Sequence, residues 1–318
     1  MRVSQNTKAI MYMLFSTLSL AVTGLVTQYL ATQFAAVEIT LLRFWMPAIV
    51  LFAFLTVRGL RIPPTSMHRV LMIRSLCIAA CQFCFIYALG KLSLLESVVL
   101  FGTGPLFIAL FEKFLFRIPL SIQTIAALII TFLGVIFLAG DTEGFTLKTE
   151  LIIGLMAGVF NAGSQLSLHR ASKGELSGVE NNAWTFLLAG MLLTPVGIFY
   201  YSSLGMSAEL VTVAFKWLGV ETMMVILLLT VMIINTQVCR YQAYKSAETN
   251  TQVAPLIYTN LIFTAIFQFA LFDTSFSTMQ MFGIGMIVFG GLVPVLKSAF
   301  RWINHTMKVP HSSSSSSN

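Results

Sequence analysis

Apolar runs of membrane-crossing length recur along this chain, and that recurrence leaves few folds open. Ten can be marked: about 11–30, 36–57, 70–89, 94–115, 121–140, 151–168, 179–201, 217–238, 250–271 and 279–296. A helix needs about 20 apolar residues to cross the hydrocarbon core. Barrel strands are shorter and alternate in polarity. In lipid a helix also satisfies its own backbone. The expected fold is an all-α membrane protein with ten transmembrane helices. Composition agrees: 57% of the 318 residues are hydrophobic and 10% are charged, where soluble domains carry about 25% charged residues. Arg2 and Lys8 ahead of the first run resemble a signal peptide. The length of that run, the lack of a cleavage site and a counterpart later in the chain make it a retained helix.

The net charge of +7 does not point to nucleic acid. The basic residues form no stripe; they recur in the short gaps between apolar runs, as in cytoplasmic loops. With the N-terminus inside, most of the 19 Lys and Arg fall on or near the cytoplasmic side, Arg74 and Arg240 among them. Lys91, Lys148 and Lys216 fall outside, and Arg43 lies within the second run. Both termini are therefore expected in the cytoplasm. The polar tail, HSSSSSSN from His311, is expected to be disordered.

Several functions are disfavoured. Cys77, Cys81 and Cys84 share one face of the third run, with Cys239 elsewhere. No His lies near the trio, so buried small hydrophobes are expected rather than a metal site. His68, His169, His305 and His311 have no metal spacing. There is no phosphate loop of the form GxxxxGK[ST] and no nucleophile–base constellation, so no enzyme and no cofactor are expected. The loops are too short for a receptor's soluble domain. The expected partners are a small-molecule substrate and the lipid bilayer, with no nucleic acid; monomer and homodimer both remain open.

The two halves of the chain resemble each other. VEITLLRFW (37–45) compares with VENNAW (179–184), and IALFEKFLFRIPLS (108–121) with TAIFQFALFDTSFS (264–277). The units are expected at 8–140 and 151–297, followed by a cytoplasmic tail at 298–318. Five helices is an odd number, so the second unit enters from the opposite face. Such inverted repeats are typical of secondary transporters. Glu38 and Glu180 then occupy equivalent places.

RSLCIAACQFCFIYALGKLSLLESVVLFGTGPLFIALF (74–111) resembles the third and fourth helices of EamA-type carriers in the drug/metabolite transporter superfamily. AYKSAETNTQVAPLIYTNLIFTAIFQFALFD (243–273) resembles the corresponding region of the second repeat, including Ala254, Pro255 and Tyr258. Asp273 matches the family's acidic residue after the ninth helix, whereas Arg117 stands at the equivalent place after the fourth. The resemblance implies a ten-helix carrier of small organic metabolites, with a central cavity between inverted halves. Residues 74–140 are most similar to the branch containing S-adenosylmethionine transporters. It also implies a multi-pass protein of a bacterial inner membrane. An amino-acid or metabolite exporter coupled to protons is the alternative.

The candidate substrate contacts are Gln82, Tyr87, Glu96, Asn161, Gln165, Trp184, Asn235, Tyr258 and Asn260. Each also has a plainer reading. Glu96 is either a substrate or proton site or a carboxylate at the outer interface. The amides bind ligand or bond between helices. Tyr87, Trp184 and Tyr258 stack on a base or cation or anchor at the interface. Arg43 is expected to pair with Glu38 or a backbone carbonyl, with anion binding as a further option. Gly102, Gly104, Pro105 and Pro255 are expected to break helices beside the pathway. Gly154 and Gly158 are expected to serve close packing.

Overall fold

The computed structural model describes residues 2–116, 122–141, 144–145, 149–203, 219–246, 256–257, 259–271 and 277–290. Most of them are helical. The helices are α1 Arg2–Ala31, α2 Ala36–Arg58, α3 Thr65–Leu89, α4 Leu94–Phe101, α5 Gly104–Phe116 and α6 Ile122–Ala139. They continue with α7 Thr149–Ser172, α8 Gly178–Ser203, α9 Val220–Ser246, α10 Thr259–Leu271 and α11 Thr278–Gly290. A two-residue antiparallel pairing joins Gly140–Asp141 to Gly144–Phe145. Among the described residues, six helices are long and apolar enough to cross a membrane: α1, α2, α3, α7, α8 and α9.

Around a largely apolar core, several helices also turn hydroxyls inward and oily side chains outward. On α1, Ser16, Thr17, Ser19, Thr23 and Thr27 are buried, while Met11, Phe15 and Leu18 are exposed. Ile49, Leu76, Ile198, Phe199 and Met224 are exposed on other helices. Lipid is as apolar as leucine, so oily groups gain nothing by turning inward, whereas hydroxyls need partners there. The Ser16 hydroxyl donates to the Thr236 carbonyl at 2.8 Å, and Asn235 Nδ2 donates to Ser19 Oγ at 2.6 Å. Both bonds tie α1 to α9.

Packing repeats between the halves. The α3–α7 contact is mirrored by α9–α1, α3–α8 by α9–α2, and α4 and α5 on α7 by α10 on α1. Contacts α2–α8 and α4–α10 map onto themselves, as does α6–α11, where Phe137 meets Phe282 at 5.3 Å. This two-repeat architecture relates helices α1–α6 to α7–α11. The equivalent helices α2 and α8 run antiparallel. Glu38 at the start of α2 accepts from Tyr201 near the end of α8, at 2.9 Å. Arg61, just past α2, lies 3.9 Å from Glu180 at the start of α8. Opposed equivalents are what an inverted repeat requires.

The expected span 94–115 is two helices rather than one. The α4 helix stops at Gly102, whose N–H bonds the Val98 carbonyl at 2.8 Å. Thr103 closes the elbow by donating its hydroxyl to the Leu100 carbonyl at 2.6 Å. Pro105 falls in the first turn of α5, where its missing N–H costs nothing. The elbow seats on α7. A Cβ on Gly158 would lie 2.9 Å from the Leu100 carbonyl oxygen, and one on Gly154 2.7 Å from a Leu100 methyl. Both glycines thus serve close approach, as expected. Pro255, Tyr258 and Asp273, the Arg117 position and the serine-rich tail lie outside the described residues.

Candidate functional site

Where the halves meet, α1, α2, α3, α4, α8, α9 and α10 enclose a cavity of two lobes. Leu20, Thr23, Arg43 and Gln82 line both. Phe44, Phe186, Thr236 and Gln237 complete one lobe; Phe85, Val98, Phe101 and Asn260 complete the other. The lobes leave about 340 and 290 Å³ of space between atoms, open solvent included.

Both ends of the α2–α8 seam are closed. At one end the Tyr201 hydroxyl donates to Glu38. At the other, Arg61 faces Glu180, and Trp184 Nε1 donates to the Arg61 carbonyl at 3.0 Å.

Arginines dominate the site's electrostatics. Arg43 enters both lobes and donates to Thr27 Oγ1. The Thr27 hydroxyl can accept because its own proton goes to the Thr23 carbonyl, at 2.6 Å. The expected pairing of Arg43 with Glu38 is not formed, because Glu38 is held by the Ala35 N–H at 2.9 Å and by Tyr201. Arg74 donates to Asn181 Oδ1, to Asn182 Oδ1 at 2.7 Å and to Gln237 Oε1 at 3.4 Å. Arg240 is buried, with Nε and Nη2 unpartnered. Arg74 and Arg240, which the sequence places on or near the cytoplasmic side, are both buried within the bundle. The α9 helix runs on to Ser246, past its expected end at 238, and carries Arg240 inside the bundle.

Of the expected contacts, Gln82 and Asn260 reach the cavity, each with an unpartnered side-chain oxygen. Glu96 does not line it. Its carboxylate accepts from the Ser93 N–H and hydroxyl, both at 2.8 Å, closing a capping box at the start of α4. Tyr87 is exposed on α3. Trp184 lies at the α2–α8 latch, edge-on to Phe52. Asn235 bonds to α1 through Ser19. Asn161 and Gln165 bond each other at 3.2 Å, and the Tyr244 hydroxyl reaches Gln165 at 3.3 Å. Gly104 lets Asn161 approach closely. The sequence signal for the missed arginines is a lone cation within an apolar run, which in a membrane marks function by default.

No curated protein matches this chain. One solved structure, described only as a crystal structure of a protein, superposes with a TM-score of 0.57. It covers 94% of this chain and 98% of its own at 17% identity, so the likeness speaks to fold alone. The sequence profile of the EamA-like transporter family matches twice, at residues 7–140 and 148–295. Together the two matches take in nearly the whole described bundle, and the chain belongs to the EamA-like transporter family of small-molecule membrane transporters.

Proposed function

We propose that this chain is a secondary carrier of a small organic metabolite that works by alternating access. The supporting observation is the cavity at the seam of the two repeats, with a side-chain bridge at each end of the α2–α8 contact. Opening the Tyr201–Glu38 end would admit water from one face; opening the Arg61–Glu180 end would admit it from the other. The two halves, 8–140 and 151–297, rock about the site in this reading. The chain crosses ten times and keeps both ends in the cytoplasm of a bacterial cell, in its inner membrane.

The narrower reading, uptake of S-adenosylmethionine in exchange for S-adenosylhomocysteine, rests on the resemblance of residues 74–140. The alternative is export of amino acids or related metabolites driven by protons. Reconstituted protein in liposomes, offered labelled S-adenosylmethionine and a panel of amino acids and organic acids, tests both. Saturable flux of at least one solute is expected. Flux of S-adenosylmethionine that accelerates when S-adenosylhomocysteine is loaded inside would support exchange. A panel in which S-adenosylmethionine alone fails to move would remove the narrow reading and leave the carrier intact.

A further inference from the structure

We infer that the central site holds its cargo by an anionic group, a carboxylate or a phosphate, gripped by Arg43, Arg74 and Arg240. This deepens the carrier reading and rests on it. The three arginine residues are 5%, 1% and 3% exposed and come from α2, α3 and α9. They border one lobe of the cavity: Arg43 and Gln237 line it, Arg74 donates to Gln237 Oε1 at 3.4 Å, and Arg240 stands one turn beyond Thr236 and Gln237 on α9.

Their partners are neutral. Arg43 meets a threonine hydroxyl, and Arg74 meets three amide oxygens. Two nitrogens of Arg240 meet nothing. Among the described residues the ion pair present is Arg61–Glu180, near the end of the seam. Among the described residues, three buried arginines around this lobe thus have no carboxylate partner. A buried unpaired charge is strongly destabilising, and like charges repel. The cluster becomes favourable once an anion enters. The planar fork of arginine matches a carboxylate or phosphate through paired hydrogen bonds.

Gln82 and Asn260, with free polar atoms, are placed to meet the rest of the cargo. Phe44, Phe85 and Phe186 supply apolar walls. S-adenosylmethionine, with a sulfonium and an ammonium against one carboxylate, carries a net positive charge into this cluster. Binding should therefore rank net anions first, zwitterions next and S-adenosylmethionine last.

The test uses the purified full-length protein in nanodiscs of zwitterionic lipid. Succinate, glycerol phosphate, leucine and S-adenosylmethionine are titrated in turn, with thermal unfolding as the readout. Succinate or glycerol phosphate should raise the unfolding temperature at concentrations where leucine and S-adenosylmethionine do not. Which of the two acts distinguishes a carboxylate site from a phosphate site. Arg240→Gln should weaken the response roughly tenfold. Without ligand it should unfold no earlier than the wild type, because an unpaired buried charge is gone. Should that variant fail to fold, Arg43→Gln, which keeps a donor toward Thr27, serves in its place.

No response of the wild type to either anion, or equal responses from the glutamine variants, overturns the inference. Stabilisation seen only in discs containing phosphatidylglycerol assigns the cluster to a lipid headgroup and overturns it as well. Anion binding without uptake in liposomes keeps the anion site and removes the carrier reading. Saturable uptake of leucine without anion binding does the reverse.

Discussion

The Glu96 carboxylate is committed to its own helix. The first turn of a helix leaves backbone N–H groups without partners, and Glu96 returns to the Ser93 N–H while Ser93 Oγ accepts from the Glu96 N–H at 3.2 Å. Glu180 with Ser177 and Gln280 with Ser277 repeat the arrangement. Glu38 makes half of it, since Ala35 has no side-chain oxygen to return. A carboxylate near a helix N-terminus is also favoured by the helix dipole. Glu96→Ala should therefore lower stability by about 0.5–2 kcal/mol, measured by denaturant unfolding in detergent. Glu96→Gln keeps an acceptor of the same reach, and its transport rate should stay near wild type. A severe transport defect in a stably folded Glu96→Gln would return the residue to the pathway.

At the scale of elements, the elbow between α4 and α5 is a joint between rigid pieces. Gly102 and Thr103 end one helix and start another, and the joint presses on the Gly154–Gly158 face of α7. On α5, Leu106 donates its N–H to the Thr103 carbonyl at 3.0 Å, so the second helix begins without a wide gap. A methyl at Gly158 would collide with the Leu100 carbonyl and the Thr103 hydroxyl, neither of which can swing far. Gly158→Ala should cost about 1–3 kcal/mol by overpacking. The control is Gly285→Ala in α11, where nothing lies within 4 Å. There the better helix propensity of alanine should leave stability unchanged or raise it by up to ~1 kcal/mol. Thermal unfolding of the two variants side by side checks the pair. Equal behaviour would mean that α7 and the elbow are not in close contact in the membrane.

At the scale of the whole molecule, the proposed alternating access predicts that the two seam latches open one at a time. Replacing Glu38 and Tyr201 with cysteines, in a background without the native ones, permits linkage by a short bifunctional thiol reagent. The same applies to Arg61 and Glu180. Linkage at either end should abolish exchange and leave the cavity reachable from one side only, which accessibility labelling of a cysteine at Gln82 would read. Full exchange with both ends linked would disprove alternating access at this seam. Much of this architecture was legible in the chain. Apolar length selects helices because lipid offers no partner for the backbone, and the recurring Val-Glu pairs at residues 37–38 and 179–180 do open equivalent helices. Among the described candidate contacts, Gln82 and Asn260 line the cavity, and which face of a polar helix turns to it depends on its neighbours. Asn161, Gln165 and Asn235 are the same residue types, and their amides are taken up by bonds to Tyr244, Ser19 and one another. By itself, then, the sequence determined the medium, the helices and the repeat, because these follow from local hydropathy and backbone chemistry. Only the tertiary structure decided that Arg43 faces the cavity, that Arg74 reaches Gln237 at its wall, and that Glu96 stays apart. Distant helices must pack before such side chains can border one space.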